Sequence, residues 1–214
     1  VAFQGIEAIP VDVQVQLSPG LPNFTVVGLA DKAVAESRER VRAALHGLGI
    51  ALPPKRITVN LAPAHIQKEG SHYDLPIALA ILAAMDVVPL CELSYYVVLG
   101  ELSLDGRILP VSGILPAALE ASAQQKGLIC PYGCGAEAAW AHDISIVAAP
   151  HLLALVNHFK GTHVLSPPKR GLMQDISDLP DMCDIKGQET ARRVLEITAA
   201  GGHNLLMQGP PGAG

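Results

Sequence analysis

The sequence predicts an α+β fold of the α/β-sandwich type, and three observations carry that reading. Runs with period-2 alternation interleave with runs of helical period from residue 11 to residue 165. A hairpin signal, Asp105-Gly106, sits between apolar stretches, which a purely doubly wound parallel sheet would lack. Half of the 214 residues are apolar and only 4% are aromatic, so the core is built from Val, Leu, Ile and Ala, and disorder is excluded.

Each element follows in order. VDVQVQL (residues 11–17) alternates strictly, a strand with its valines and Leu17 on one face. Ser18-Pro19-Gly20 supplies a turn, and NFTVVGL (23–29) returns as a second strand. Asp31 is placed to cap a helix in which Val34, Val41, Leu45 and Leu48 form one stripe, ending at Gly49. RITVNL (56–61) is a third strand. Asp74 is placed as the cap of the next helix, which runs to about Met85 with Pro76 in its first turn, where proline is tolerated. VVLGELSLDGRILPV (97–111) predicts two strands folded about Asp105-Gly106. Beyond it come a helix from about Ile114, a short strand near Leu128, a helix around Trp140, a strand ISIVAA (144–149) and a helix HLLALVNHF (151–159).

The character changes after Val164. LSPPKRGLMQDISDLPD (165–181) is polar and proline-broken, a linker by composition. The expected organisation is a first domain over 1–165, a linker over 166–183 and the opening of a second domain over 184–214. In that opening, a helix from Glu189 to Ala200 puts Ala191, Val194, Leu195 and Thr198 on one face, stops at Gly201-Gly202 and leads into a strand over Asn204–Gln208.

Composition narrows the function. A formal charge of −5 excludes a generically basic nucleic-acid binder. The longest apolar run, Leu75 to Leu90, is broken by Pro76, Asp86 and Pro89, whereas a membrane span needs about 20 largely uncharged residues. Four cysteines without a leader segment predict reduced thiols in a cytoplasmic protein. The chain starts without methionine and stops inside a motif, so it is expected to be a fragment.

That motif is Gly209-Pro210-Pro211-Gly212-Ala213-Gly214, directly after Leu205-Leu206-Met207. Its glycines match the spacing of a phosphate-binding loop, G-x-x-x-x-G-K-[ST], in which backbone N–H groups converge on the anion at a helix N-terminus. Pro and Gly also punctuate ordinary turns, and on this string alone the turn reading stands beside the phosphate reading.

The wider sequence carries a resemblance. DIKGQETARRVLEITAAGGHNLLMQGPPGAG (184–214) resembles the start of the AAA+ ATPase module of the magnesium-chelatase-like family. GLPNFTVVGLADKAVAESRERVRAAL (20–45) and RITVNLAPAHIQKEGSHYDLPIALAIL (56–82) are similar to the N-terminal domain of the ComM/YifB competence proteins. The resemblance implies a Lon-protease-like (ribosomal-protein-type) sandwich followed by the opening helix and strand of a P-loop AAA+ domain. It places Ile185, Gly187 and Gln188 beside the adenine of ATP and residues 209–214 at the phosphates. For the complete protein it implies a homo-hexameric motor that uses ATP and Mg2+ and remodels branched DNA in transformation or recombination. A magnesium-chelatase ATPase subunit is the alternative, although such subunits generally lack this N-terminal domain. This stretch holds neither the loop lysine, nor the magnesium-binding hydroxyl, nor the Walker B acid, so it is not expected to bind or hydrolyse ATP by itself.

A third alternative is a Lon-type Ser-Lys peptidase. Against the Lon serine stretch Asp-Gly-Pro-Ser-Ala-Gly, residues 69–74 place His72 at the serine, with Ser71 one position early. Ala117 stands where the lysine belongs, and no lysine lies between Lys68 and Lys126. A serine needs a base within reach. Ser71, His72 and Asp74 are too close in sequence to converge as a triad. No catalytic residue is assigned; Asp74 is expected to cap its helix, with Ser71 and His72 shaping the approach to it.

Cys130 and Cys134, with His142 nearby, make one C-x-x-x-C pair where structural zinc wants two, so ordinary thiols and no metal are expected. Charge is uneven. Residues 31–68 carry a net +4 and residues 69–165 a net −6. Arg38, Arg42, Lys55 and Arg56 are therefore candidates for DNA phosphate contacts. A solvated helix face with Glu36–Arg40 and Arg38–Arg42 neighbours accounts for the same charges.

Overall fold

The computed structural model describes residues 1–172 and 181–210. It divides into two compact units, Val1–Gly171 and Leu172–Gly214.

The first unit opens with a hairpin of β1 (Ala2–Gln4) and β2 (Glu7–Ile9), which no sequence signal announced. Next come β3 (Asp12–Ser18), β4 (Asn23–Val27), α1 (Lys32–Gly47) and β5 (Arg56–Ala62). The sheet order is β3-β5-β4, with β5 antiparallel to β3 and parallel to β4, so α1 is the crossover that parallel pairing requires. Alternation places Ile57, Val59 and Leu61 of β5 in the core. Asp31 caps α1 as expected, its Oδ1 accepting from Val34 N at 2.7 Å. Val34, Val41 and Leu45 are buried, and Leu48 is half-buried at the helix end.

Strand β4 stops at Val27 rather than Leu29. Gly28 has φ +111° and presses on β5 so closely that a Cβ there would lie 2.2 Å from Leu61 O. Only glycine fits that approach, and the chain turns away.

After a 3-10 turn at Ser71–Tyr73 comes α2 (Asp74–Ala84). Leu75, Ile77, Ala78, Leu79, Ile81 and Leu82 bury nearly its whole circumference, which is why its sequence is apolar all round. The remaining elements are α3 (Leu90–Leu93), β6 (Tyr96–Val98), β7 (Glu101–Leu102), β8 (Ile108–Leu109), α4 (Ile114–Ala123), β9 (Gly127–Pro131), α5 (Gly135–Ala138), β10 (Ile146–Ala149) and α6 (Leu152–Phe159). A second sheet, β10-β9-β6, is parallel throughout.

The expected long hairpin over 97–111 is two structures. Only β7 and β8 pair about Asp105-Gly106, while β6 joins the other sheet. Gly100 separates them because its backbone docks the start of α2. Its N–H donates to His72 O, and its carbonyl accepts from Leu75 N.

Packing continues past Leu165 to Gly171. Leu165 N donates to His158 Nδ1 at 3.0 Å, the Arg170 guanidinium lies 3.7 Å from the Trp140 ring centre, and Gly171 N donates to Ala136 O at 3.1 Å. A proline-rich composition therefore marks a strap held on the unit here, not a free linker, over 165–171.

In the second unit, a 3-10 turn at Met182–Asp184 with a capping box at Asp181 precedes α7 (Glu189–Gly201). Ala191, Leu195 and Thr198 are half-buried, and Val194 of the same face is exposed. The expected strand over 204–208 is not formed, since a strand needs a neighbour to complete its backbone bonds and none of the described strands pairs there. Pro211, Gly212, Ala213 and Gly214 lie outside the described residues.

Candidate functional site

The start of α2 is held by a buried carboxylate. Asp74 is fully buried and does not cap its helix, whose cap position is Tyr73 without a side-chain bond. Its oxygens instead accept from Arg40 Nε at 2.6 Å, Arg40 Nη2 at 3.0 Å and Leu102 N at 3.1 Å. Arg40 also donates to Ala33 O. The bidentate bond to Asp74 raises the guanidinium pKa further above its ordinary value. The Arg40–Asp74 pair thus ties α1, α2 and β7 together, and the expected Glu36–Arg40 pair is a looser contact at 3.9 Å.

Beside it lies a cleft of about 1250 Å³, lined by Ser71, His72, Glu101, Asp31 and Glu69 with apolar Phe3 and Pro116. Ser71 Oγ donates to Glu101 Oε2. His72 is buried, with Nε2 3.0 Å from Val1 O and its ring 4.2 Å from that of Tyr73. Ala117 is fully buried in the apolar cluster under α4. Lys68, also fully buried, donates its Nζ to Pro63 O, and burial lowers its pKa. The cleft thus has a serine held by a carboxylate and no cation in its lining.

Burial depresses the His72 pKa to about 4. A folded-state value below the usual ~6.5 means the native state prefers neutral imidazole. Its contribution is full above about pH 6.5 and is lost as pH falls towards 4, up to roughly 3 kcal/mol. Urea unfolding across that window is expected to show stability falling with acid, and His72→Phe to flatten the fall. An equal slope in both proteins would contradict the assignment.

The four DNA candidates lie together only in part. Arg42, on α1, and Lys55, just before β5, line one pocket of about 430 Å³, and Arg56 begins β5. Arg38 lies one turn before Arg42. Both arginines share Glu39, at 3.0 and 3.6 Å. Arg40 and Lys68, counted in the basic segment by sequence, are committed to the interior. The exposed cations of the segment are thus Arg38, Arg42, Lys55 and Arg56, of which Arg42 and Lys55 share a pocket, with Lys32 at the other end of the helix.

Cys130 and Cys134 are core side chains. Burial pushes the Cys130 thiol up to about 12, and Cys134 Sγ donates to Val111 O. In the second unit, Gly187 (φ +74°) and Gln188 (φ +54°) form a sharp left-handed turn into α7, with Ile185 just before it. Gly209 and Pro210 are exposed. Among the described residues no helix is long and apolar enough to cross a membrane.

The family model for subunit ChlI of Mg-chelatase matches residues 13–133, and a second, for magnesium chelatase subunit ChlI, matches residues 181–214. The whole chain is similar to uncharacterized protein YifB of Escherichia coli (43% identity) and of Salmonella typhimurium (42%). It is likewise similar over its whole length to competence protein ComM of Haemophilus influenzae, at 41% identity. The chain spans 42% of each YifB protein and 43% of ComM.

Proposed function

We propose, from the premise that this chain belongs to the ChlI family of Mg-chelatase in its YifB/ComM branch, that it is the N-terminal part of an ATP-driven AAA+ motor that remodels branched DNA. The carrying observation is the basic edge, where α1 and the start of β5 bring Arg42 and Lys55 onto one pocket whose lining has no carboxylate. Such an edge suits DNA phosphates and carries no base information by itself. Similarity along the whole chain to a protein named for competence supports the same reading.

The first unit acts as an accessory domain without peptidase chemistry. Ser71 faces a carboxylate in place of a lysine, and Ala117 fills the lysine position with a buried methyl group. In the second unit, the turn at Gly187 and Gln188 fits a backbone edge set against a base, with Ile185 beside it. Residues 209–214 would begin the phosphate loop. ATP with Mg2+, once bound, supplies phosphoryl transfer to a mechanical cycle. The complete protein is read as a cytoplasmic homo-hexamer, and each copy contributes its basic edge to one DNA-binding ring.

A second reading, a chelatase ATPase subunit, is favoured by both family models. One set of assays on the full-length protein separates the readings. ATP hydrolysis is measured without DNA, with duplex, with forked DNA, and with protoporphyrin plus magnesium; casein and short fluorogenic peptides serve as peptidase substrates. Stimulation by forked DNA and intact casein are expected. Metal insertion into the porphyrin without DNA stimulation would favour the chelatase, and cleavage abolished by Ser71→Ala would establish a peptidase.

A further inference from the structure

We propose that the pocket between α1 and the start of β5 seats an unpaired nucleobase, so that this edge grips single-stranded DNA by base and phosphate together. The inference rests on the reading of the edge as a DNA contact. Phosphates need only the cations, which leaves the concavity beside them without a task. That concavity measures about 430 Å³, within the roughly 300–1,000 Å³ that small-ligand pockets occupy. Its walls are Pro22, Leu52, Pro53 and Pro54, and Arg42 and Lys55 stand in the same lining.

Each part matches one part of a nucleotide. Proline rings and a leucine side chain offer flat apolar C–H surface to a base, and the fixed φ of proline keeps those walls preorganised. Lys55 N donates to Pro53 O at 2.7 Å, a tight turn that sets the lysine beside the wall. Arg42 contacts Glu39 at 3.6 Å with half its side chain exposed, so its outer face remains open to a phosphate. Every base has an apolar face, so such a seat is sequence-tolerant, but in a duplex that face is already stacked. The edge therefore prefers unpaired DNA, the kind exposed at a fork.

The test compares three labelled probes on the full-length protein by fluorescence anisotropy: oligothymidine, an abasic oligonucleotide of equal length, and duplex. The abasic strand keeps the phosphates and removes only the bases. Wild type should bind oligothymidine at least about fivefold more tightly than the abasic strand. In Pro22→Ala/Pro54→Ala, at two exposed positions, that preference should disappear while abasic and duplex affinities stay as in wild type. In Arg42→Gln/Lys55→Gln all three affinities should fall. Equal wild-type binding of thymidine and abasic strands would overturn the seat, as would a preference that survives the proline changes. If the charge variant binds all three probes like wild type, the phosphate reading itself fails and the seat fails with it.

Discussion

Replacing Arg40 with alanine is expected to destabilise the first unit by roughly 3–5 kcal/mol, the cost of stranding one partner of a buried ion pair. Asp74 is wholly inaccessible and would keep only the Leu102 N–H as a partner. Water cannot replace the guanidinium there without opening the contact between α1 and α2. Arg40→Lys should recover part of the loss, because a lysine restores the charge but not the two-pronged fit. Asp74→Ala should cost less than Arg40→Ala, since 22% of the Arg40 side chain is exposed and can be hydrated. The measurement is urea unfolding of each variant at pH 7 and moderate salt. A loss below about 1 kcal/mol for Arg40→Ala would mean that the pair contributes as little as a surface salt bridge.

This staple was illegible in the sequence for a definite reason. Asp74 precedes an apolar helical run, which is where a capping residue belongs, and Arg40 lies 34 residues earlier. Local spacing reports that Asp74 begins a helix; it cannot report that a distant arginine claims the carboxylate. Asp31 shows the opposite case, because its partner Val34 N lies within the same turn and the cap followed directly.

The same division of local from distant runs through the fold. The strands β3 and β5 and the stripe of α1 were readable because periodicity alone decides which face is buried. The break between β6 and β7 was not, since it depends on Gly100 meeting α2. The strap over 165–171 had a linker's composition, and Trp140 and Ala136 hold it in place. At the basic edge, counting charges found the segment. Packing then removed Arg40 and Lys68 from it and joined Arg42 to Lys55 around a pocket walled by Pro22, Leu52, Pro53 and Pro54.

The proposed hold of this edge on DNA phosphates has a large expected effect because, in the proposed ring, the copies act together. A single domain is acidic overall and would bind weakly. Around a ring, each lost contact is multiplied by the number of copies engaged. Each phosphate contact removed also takes about 0.9 from the slope of log affinity against log salt. The measurement is anisotropy binding of the full-length protein to branched DNA of two unrelated sequences across a salt series. Arg38→Ala/Arg42→Ala and Lys55→Ala/Arg56→Ala are compared with wild type, each first shown to form the native oligomer. The expected result is at least about a tenfold loss at moderate salt for both sequences alike, with a shallower salt slope in each variant. Wild-type affinity and an unchanged slope in both variants would contradict it.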